Sequence, residues 1–416
     1  MNKEENNFGH ISSCQICNNT TLEKVASLGH HAPVHAHLTK TQLDEKEISY
    51  PLNLCKCTEC GLLQLDYIVD PKIIFHANYP YFTGMTNMLI NNFRDLCEIL
   101  IEKHDAKEND LVVDIGSNDG TLLTGFKEKG MKVLGIEPTD VADVANSNGI
   151  ETLKEFFTDK TVEKIIQEHG KAKVVTATNM FAHVNDATDL ANNVSSLLND
   201  DGVFVSESQY LVDMLEKTAL DTIYHEHLRY YSLKPLQKLL ELAGMSVIDA
   251  ERIDSAGGSI RVYAKKGEHK ISKRAQDILN KEEEMGIYNG EVFVDFEKKI
   301  NSIKHNLNKL LRECKENGKI VGIGAPGRSN TLLNFAKIDT NLIDYAVEKK
   351  GSPKIGLFTP GMHIPIIDEE IVFKEQPEYA LILSWHIGTE LMDIFRKKGY
   401  KGKFITPLPE PKIIND

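Results

Sequence analysis

The sequence predicts an α/β protein: a doubly wound, Rossmann-like domain, a second and smaller Rossmann-like domain at the C-terminal side, and a small cysteine-rich domain ahead of both. Three observations predict it. Five of the seven cysteines fall within the first sixty residues. Beyond them, apolar runs alternate with amphipathic stretches, the pattern of a mostly parallel sheet covered on both faces. A charged segment interrupts that alternation once, between about residues 265 and 319, after which the alternation resumes.

The cysteines come first in the chain. CQIC (14–17) and CTEC (57–60) are two C-x2-C knuckles, whose short loops converge Cys14, Cys17, Cys57 and Cys60 on one tetrahedral zinc. Four thiolates leave no open coordination position, so this zinc staples a domain over 1–75 and performs no chemistry. Cys55 stands two residues before Cys57 and reads as a spare thiol. An odd cysteine count without an oxidising context argues against a disulfide framework.

The next domain, 76–268, takes its strands from LVVDIGS (111–117), KVLGIEP (132–138), KVVTATNMF (173–181) and GVFVSES (202–208). The charged segment, with FEKKINSIKHNLNKLLRECKENG, reads as connecting helices. The last domain, 269–416, takes its strands from KIVGIGA (319–325), LIDYAVE (342–348), YALILSW (379–385) and GKFITP (402–407).

Each Rossmann-like domain opens on a glycine-rich turn. The first, VVDIGSNDGTLL, carries Gly116, Ser117, Asn118, Asp119 and Gly120, with Glu137 at the end of the next strand, 21 residues after Gly116. A carboxylate there accepts the hydroxyls of an adenosine ribose. Asp114 and Asp119 bring negative charge where a dinucleotide would place its pyrophosphate, whereas the ammonium and sulfonium of S-adenosylmethionine are cationic. The turn therefore favours S-adenosylmethionine, with Gly116 admitting the methionyl backbone, Asp119 at its ammonium, and Asn179 and Met180 flanking the adenine or sulfonium.

The second turn, VGIGAPGRSNTLLN, is a literal G-x-G-x-x-G (Gly322, Gly324, Gly327) followed by Glu348. It supports an alternative, an NAD-binding oxidoreductase. Pro326 and the following Arg328, Ser329 and Asn330 fit a phosphate group near a helix N-terminus better, so a nucleotide-diphosphate substrate satisfies the same residues.

Composition narrows the class. With 48 Lys+Arg against 61 Asp+Glu, the net charge is −13. A nucleic-acid backbone or an anionic membrane would be repelled, which counts against a zinc-ribbon nucleic-acid methyltransferase. The N-terminal residues lack the apolar core of a secretory signal, so a cytoplasmic enzyme of small molecules is expected. The oligomeric state is not legible.

The ordered motifs CQIC, CTECGLLQL, NYPYFTGMT (78–86), VVDIGSNDG, NMFAHVND (179–186), IYHEHLRYYS (223–232), GGSIRVY (257–263), GIGAPGRSNTLLN and FTPGMHIPI (358–366) together resemble the sugar C-methyltransferases of deoxysugar biosynthesis. The resemblance spans nearly the whole chain. It implies a zinc-binding domain, a class I methyltransferase domain and a C-terminal Rossmann-like domain, acting with S-adenosylmethionine at C-3 of a nucleotide-linked 4-keto deoxysugar. It also implies substrate contacts by Arg328, Ser329, Asn330, Lys354 and His363. Two departures stand out. Members often carry lysine in a GxGAxxKGN loop where this chain has Arg328 and Ser329. The segment LGHHAPVHAHL holds four histidines, His30, His31, His35 and His37, expected to be surface residues, with a place in the substrate pocket or adventitious metal binding for one or more of them as the alternative.

Methylating a carbon beside a ketone requires a base for the C–H proton and a donor for the enolate oxygen. In YHEH, a helical turn would put Tyr224 and His227 on one side, three residues apart; an extended strand would instead pair His225 with His227 and Tyr224 with Glu226. The resemblance carries catalytic character to Tyr224, Glu226 and His227. His227 is the expected base, Tyr224 a hydrogen-bond donor near the reacting carbons, Glu226 an orienting or sugar-binding group, and His183 a fourth contact. H-x-H alone matches none of the usual zinc-enzyme ligand patterns, so the chemistry is expected to be metal-free.

Overall fold

Alternating apolar runs become strands because both faces of a parallel sheet are buried, and the predicted runs do so here. The computed structural model describes residues 8–74 and 87–414. The NYPYFTGMT motif lies outside the described residues. Seven strands form the central sheet, in the order Met245–Ile253, Ser259–Lys266, Leu198–Gln209, Ala172–Thr178, Leu111–Ile115, Lys132–Ile136 and Thr152–Leu153. Ser259–Lys266 alone runs against its neighbours. The chain leaves Leu111–Ile115 toward one edge and returns to Ala172–Thr178 on its other side. This reversal opens a crevice at the carboxyl ends of those two strands, where open α/β sheets bind their ligands.

The C-terminal sheet repeats the plan with six strands, ordered Ile366–Asp368, Ala346–Glu348, Ile320–Ile323, Tyr379–Ile382, Lys403–Thr406 and Lys412–Ile414, only the last antiparallel. The charged interval forms two helices, Lys273–Glu284 and Glu291–Asn317. The longer one buries Phe293, Phe296, Ile300, Ile303, Leu307 and Leu311 along one face. It packs on the Leu22–His31 strand and on the Gly327–Ala336 helix, so a segment with a strongly polar composition is the spine between domains.

The N-terminal sheet holds Leu22–His31, Tyr50–Cys57 and Leu63–Leu65, and its fourth strand is Arg229–Tyr230, from the far side of the YHEH motif. The Leu65 amide donates to the Leu228 carbonyl, and the Leu228 amide donates in turn to Ala182. One apolar core runs through all three parts. No described helix is long and apolar enough to cross a membrane.

Candidate active site

The cysteine cluster forms as the knuckles predict. The Sγ atoms of Cys14, Cys17, Cys57 and Cys60 lie within 4.8 Å of one another. Cys14–Cys60 and Cys17–Cys57 are each 3.5 Å apart, close to the ~3.8 Å edge of a tetrahedral tetrathiolate zinc with ~2.3 Å bonds. The donor set fits zinc. Cys55 faces the Gln64 carbonyl instead, and burial pushes its thiol up to about 12.

At the central crevice, Gly116 takes φ +72°, and a Cβ there would lie 3.1 Å from the Met180 side chain. Asn118 and Asn179 also take left-handed backbone, at φ +51° and +56°, a conformation in which asparagine is enriched among non-glycine residues. The Asn179 amide donates to the Glu207 carbonyl, which holds the end of that strand. Glu137 accepts the Asn118 amide at 3.2 Å and the Thr139 amide at 3.0 Å. Among the described residues, the buried Ser117 hydroxyl has no hydrogen-bond partner. Asp119 accepts the amide and hydroxyl of Thr121, opening the Thr121–Glu128 helix. The charge expected of Asp114 is not presented to the crevice. It is buried, accepts the Thr176 hydroxyl at 2.7 Å, and desolvation pushes its carboxyl up to about 7.

Beside this crevice the YHEH segment forms a tight turn in which the His227 amide donates to the Tyr224 carbonyl. His227 Nδ1 lies 3.0 Å from the Thr222 carbonyl, which can only accept, so Nδ1 carries the hydrogen. Nε2 is then an acceptor, and the Tyr224 hydroxyl donates to it at 2.8 Å. Burial, helped by the nearby His183, holds the His227 imidazole well below its ordinary value, so it is neutral at physiological pH. His183 meets it edge-on with ring centroids 4.9 Å apart and is itself pushed down to about 4 by burial. His225 points away, with Nε2 on the Pro51 carbonyl at 3.2 Å. Glu226 is buried, its Oε1 3.6 Å from Nε2 of His35. Tyr224, His227 and His183 therefore come together as a helical-type turn allows, while Glu226 faces the N-terminal domain.

The substrate residues expected in the C-terminal domain are arranged differently. Arg328 clamps the fully buried Asp221 with Nε and Nη2, at 2.7 and 3.1 Å. Ser329 donates to the Pro326 carbonyl and Asn330 to the Val34 carbonyl, both from buried positions. Ser329 thus closes the turn that opens its own helix, and Asn330 ties that helix to the N-terminal domain. Lys354 Nζ donates to the Ala325 carbonyl at 2.8 Å, and His363 pairs with Glu47 at 2.9 Å.

The dinucleotide fingerprint is also occupied from within. Glu348 accepts the Ala325 amide at 2.7 Å. A Cβ on Gly324 would lie 2.4 Å from the Ser384 hydroxyl, and one on Gly327 would lie 2.5 Å from the His35 ring. The glycines admit protein side chains where a dinucleotide would need open backbone, which weighs against the NAD alternative. The expected surface histidines need the same correction: only His30 is exposed, His31 is buried on the Leu28 carbonyl, and His35 and His37 are half-buried.

The same three parts recur in known proteins. Residues 14–75 match a zinc-binding domain family, 88–250 a methyltransferase domain, and 254–409 the C-methyltransferase C-terminal domain. The C-methyltransferase NovU of Streptomyces niveus is 33% identical over 413 residues, covering 97% of either chain. This chain belongs to the C-methyltransferase family. Among solved structures, an S-adenosylmethionine-dependent methyltransferase of Clostridium acetobutylicum has 14% identity and TM-score 0.36, covering 44% of this C-methyltransferase and 94% of its own chain. Magnesium protoporphyrin IX methyltransferase of Synechocystis has 15% identity and TM-score 0.35, covering 43% and 84%. The C-methyltransferase thus joins a four-cysteine domain, a class I sheet using S-adenosylmethionine, and a second parallel sheet.

Sequence reasoning missed Asp221, whose partners Arg328 and Trp385 lie far along the chain, although Asp221 opens the DTIYHEH stretch. It also missed the buried Glu207–Arg261 pair, 2.6 Å apart, in which Arg261 of the GGSIRVY motif holds the strand beside the crevice.

Proposed function

We propose that this C-methyltransferase acts on a nucleotide-linked 4-keto deoxysugar, at C-3, by enolisation followed by methyl transfer. The observation that carries the reading is the Tyr224–His227 pair, a neutral imidazole whose Nδ1–H is held by Thr222 and whose Nε2 lone pair faces a phenol. Gly116, Ser117, Asn118, Asp119, Glu137, Asn179 and Met180 would hold S-adenosylmethionine. When bound, it supplies an electrophilic methyl group on a cationic sulfonium.

The rest follows from the chain's own groups. The Tyr224 hydroxyl turns from Nε2 to the ketone oxygen, and the freed lone pair of His227 takes the C-3 proton. Charge that develops on the C-4 oxygen is met by the phenol, and the imidazolium by the Thr222 carbonyl. Thr222 also keeps the ring in the tautomer that leaves Nε2 basic. His183 packs edge-on against the ring, and Glu226 contacts the sugar. His363, 41% exposed, is the donor a diphosphate would meet, and Lys354 braces the turn at Ala325.

The test is incubation of a panel of nucleotide-linked 4-keto deoxysugars in deuterated water. With the methyl donor absent, C-3 deuteration of one member is expected; with it present, the same member gains one methyl group. Absence of exchange and of methylation across the panel overturns the substrate class.

A further inference from the structure

We propose that His35, delivered from the N-terminal domain, is a positioning residue that orients the Glu226 carboxylate. This rests on the sugar C-methylation reading above. Glu226 is 3% exposed and sits between Tyr224 and His227 in sequence, and its carboxylate oxygen Oε1 lies 3.6 Å from His35 Nε2. A buried carboxylate used on a substrate has to be held in one direction.

His35 is itself held on three sides. Its carbonyl accepts the His37 amide at 2.9 Å and faces His37 Nδ1 at 3.2 Å. The preceding Val34 carbonyl accepts Asn330 Nδ2 at 2.7 Å. Its ring lies against the third glycine of the G-x-G-x-x-G turn, where a Cβ on Gly327 would come 2.5 Å from Cε1 and 2.7 Å from Nε2. The glycine that looks like a nucleotide fingerprint is the wall that seats this imidazole. Glu226 therefore stands where all three parts of the molecule meet, and His35 transmits the placement of the other two to it.

The test is a double-mutant cycle on methylation of the panel member found active. His35→Ala and Glu226→Gln are made singly and together, with the exposed His30→Ala as reference. Expected is a drop in kcat of about tenfold or more for His35→Ala, with KM for S-adenosylmethionine unchanged and no further loss when His35→Ala is added to Glu226→Gln. His35→Gln, which keeps a donor, recovers part of the loss. Gly327→Ala, which displaces the ring from the other side, lowers kcat in the parent and not in the His35→Ala background. Losses that multiply across the cycle, or a Gly327→Ala effect that persists without His35, overturn the proposal. A parent chain inactive on the whole panel overturns the reading beneath it, and the proposal falls with that reading.

Discussion

Arg328 and Asp221 lie 107 residues apart in sequence and form a two-pronged ion pair that binds the C-terminal domain to the start of the YHEH segment. The Trp385 indole donates to the same carboxylate at 2.8 Å, and its ring lies 5.6 Å from the guanidinium. The next residue, Thr222, holds His227, and the Thr331 hydroxyl fastens the Ile223 carbonyl at 3.0 Å. The Gly327–Ala336 helix thus sets the backbone that places His227, the proposed base.

Removing the guanidinium leaves Asp221 charged and buried, a situation that costs about 3–5 kcal/mol. Arg328→Ala is expected to lower the unfolding midpoint and to reduce kcat more than it raises KM for the nucleotide sugar. Arg328→Lys keeps the charge without the fork and should fall between. Urea melts and initial rates check both. A change confined to KM would instead make Arg328 a remote diphosphate ligand.

Glu137 uses both oxygens on backbone amides, Oε2 on Asn118 and Oε1 on Thr139. In the proposed donor site its outer lone pairs would take the ribose hydroxyls. Glu137→Ala loses those contacts and the tie that shapes the turn, so S-adenosylmethionine affinity should fall by ~1.5–3 kcal/mol, roughly tenfold to a hundredfold. Titration calorimetry measures it directly. Unchanged affinity would remove Glu137 from the donor site.

The zinc-binding domain reaches the YHEH segment through a strand. Arg229–Tyr230 pairs with Leu63–Leu65, so loss of the metal is expected to loosen the YHEH turn from its carboxyl side. Cys57→Ser should bind less than one zinc per chain and lose amide protection in both strands together, because structural zinc binding is also folding energy. Hydrogen exchange with metal analysis reads both. Full zinc content in the variant would show that three cysteines suffice.

Much of this architecture was legible because the relevant signals are local. A strand buried on both faces has to be an apolar run, two C-x2-C knuckles have to converge, and the reach between Tyr224 and His227 follows from three-residue spacing on a turn. What was not legible depends on contacts between distant segments. The Arg328 guanidinium reads as a phosphate ligand until Asp221 is seen beside it. The G-x-G-x-x-G glycines read as a nucleotide turn, yet the physical requirement they meet, close approach of another group to backbone, is met here by His35 and Ser384. The four-histidine segment was misplaced for the same reason, since polar composition marks a surface only when no other domain covers it.

His227 is the proposed base. His227→Asn keeps a similar shape and can still donate to Thr222, but it has no basic nitrogen. It should slow both solvent deuterium exchange and methylation by ~100-fold or more, the usual scale for a positioned general base, with S-adenosylmethionine affinity nearly unchanged. Tyr224→Phe separates two ways of using the pair. If the phenol only steadies the enolate oxygen, its loss is milder than that of His227; if the proton passes through the phenol to Nε2, the two losses are equal. The pH profile supplies an independent check. Burial holds the folded-state imidazole well below 6.5, so His227 stays neutral as pH falls through that value and is protonated only at lower pH. The acid limb of kcat/KM should therefore lie below pH 6.5, with the rate flat above it as far as this group is concerned. A limb at or above 6.5 that survives in His227→Asn would place the base on another residue, with Glu226 and His183 next to test.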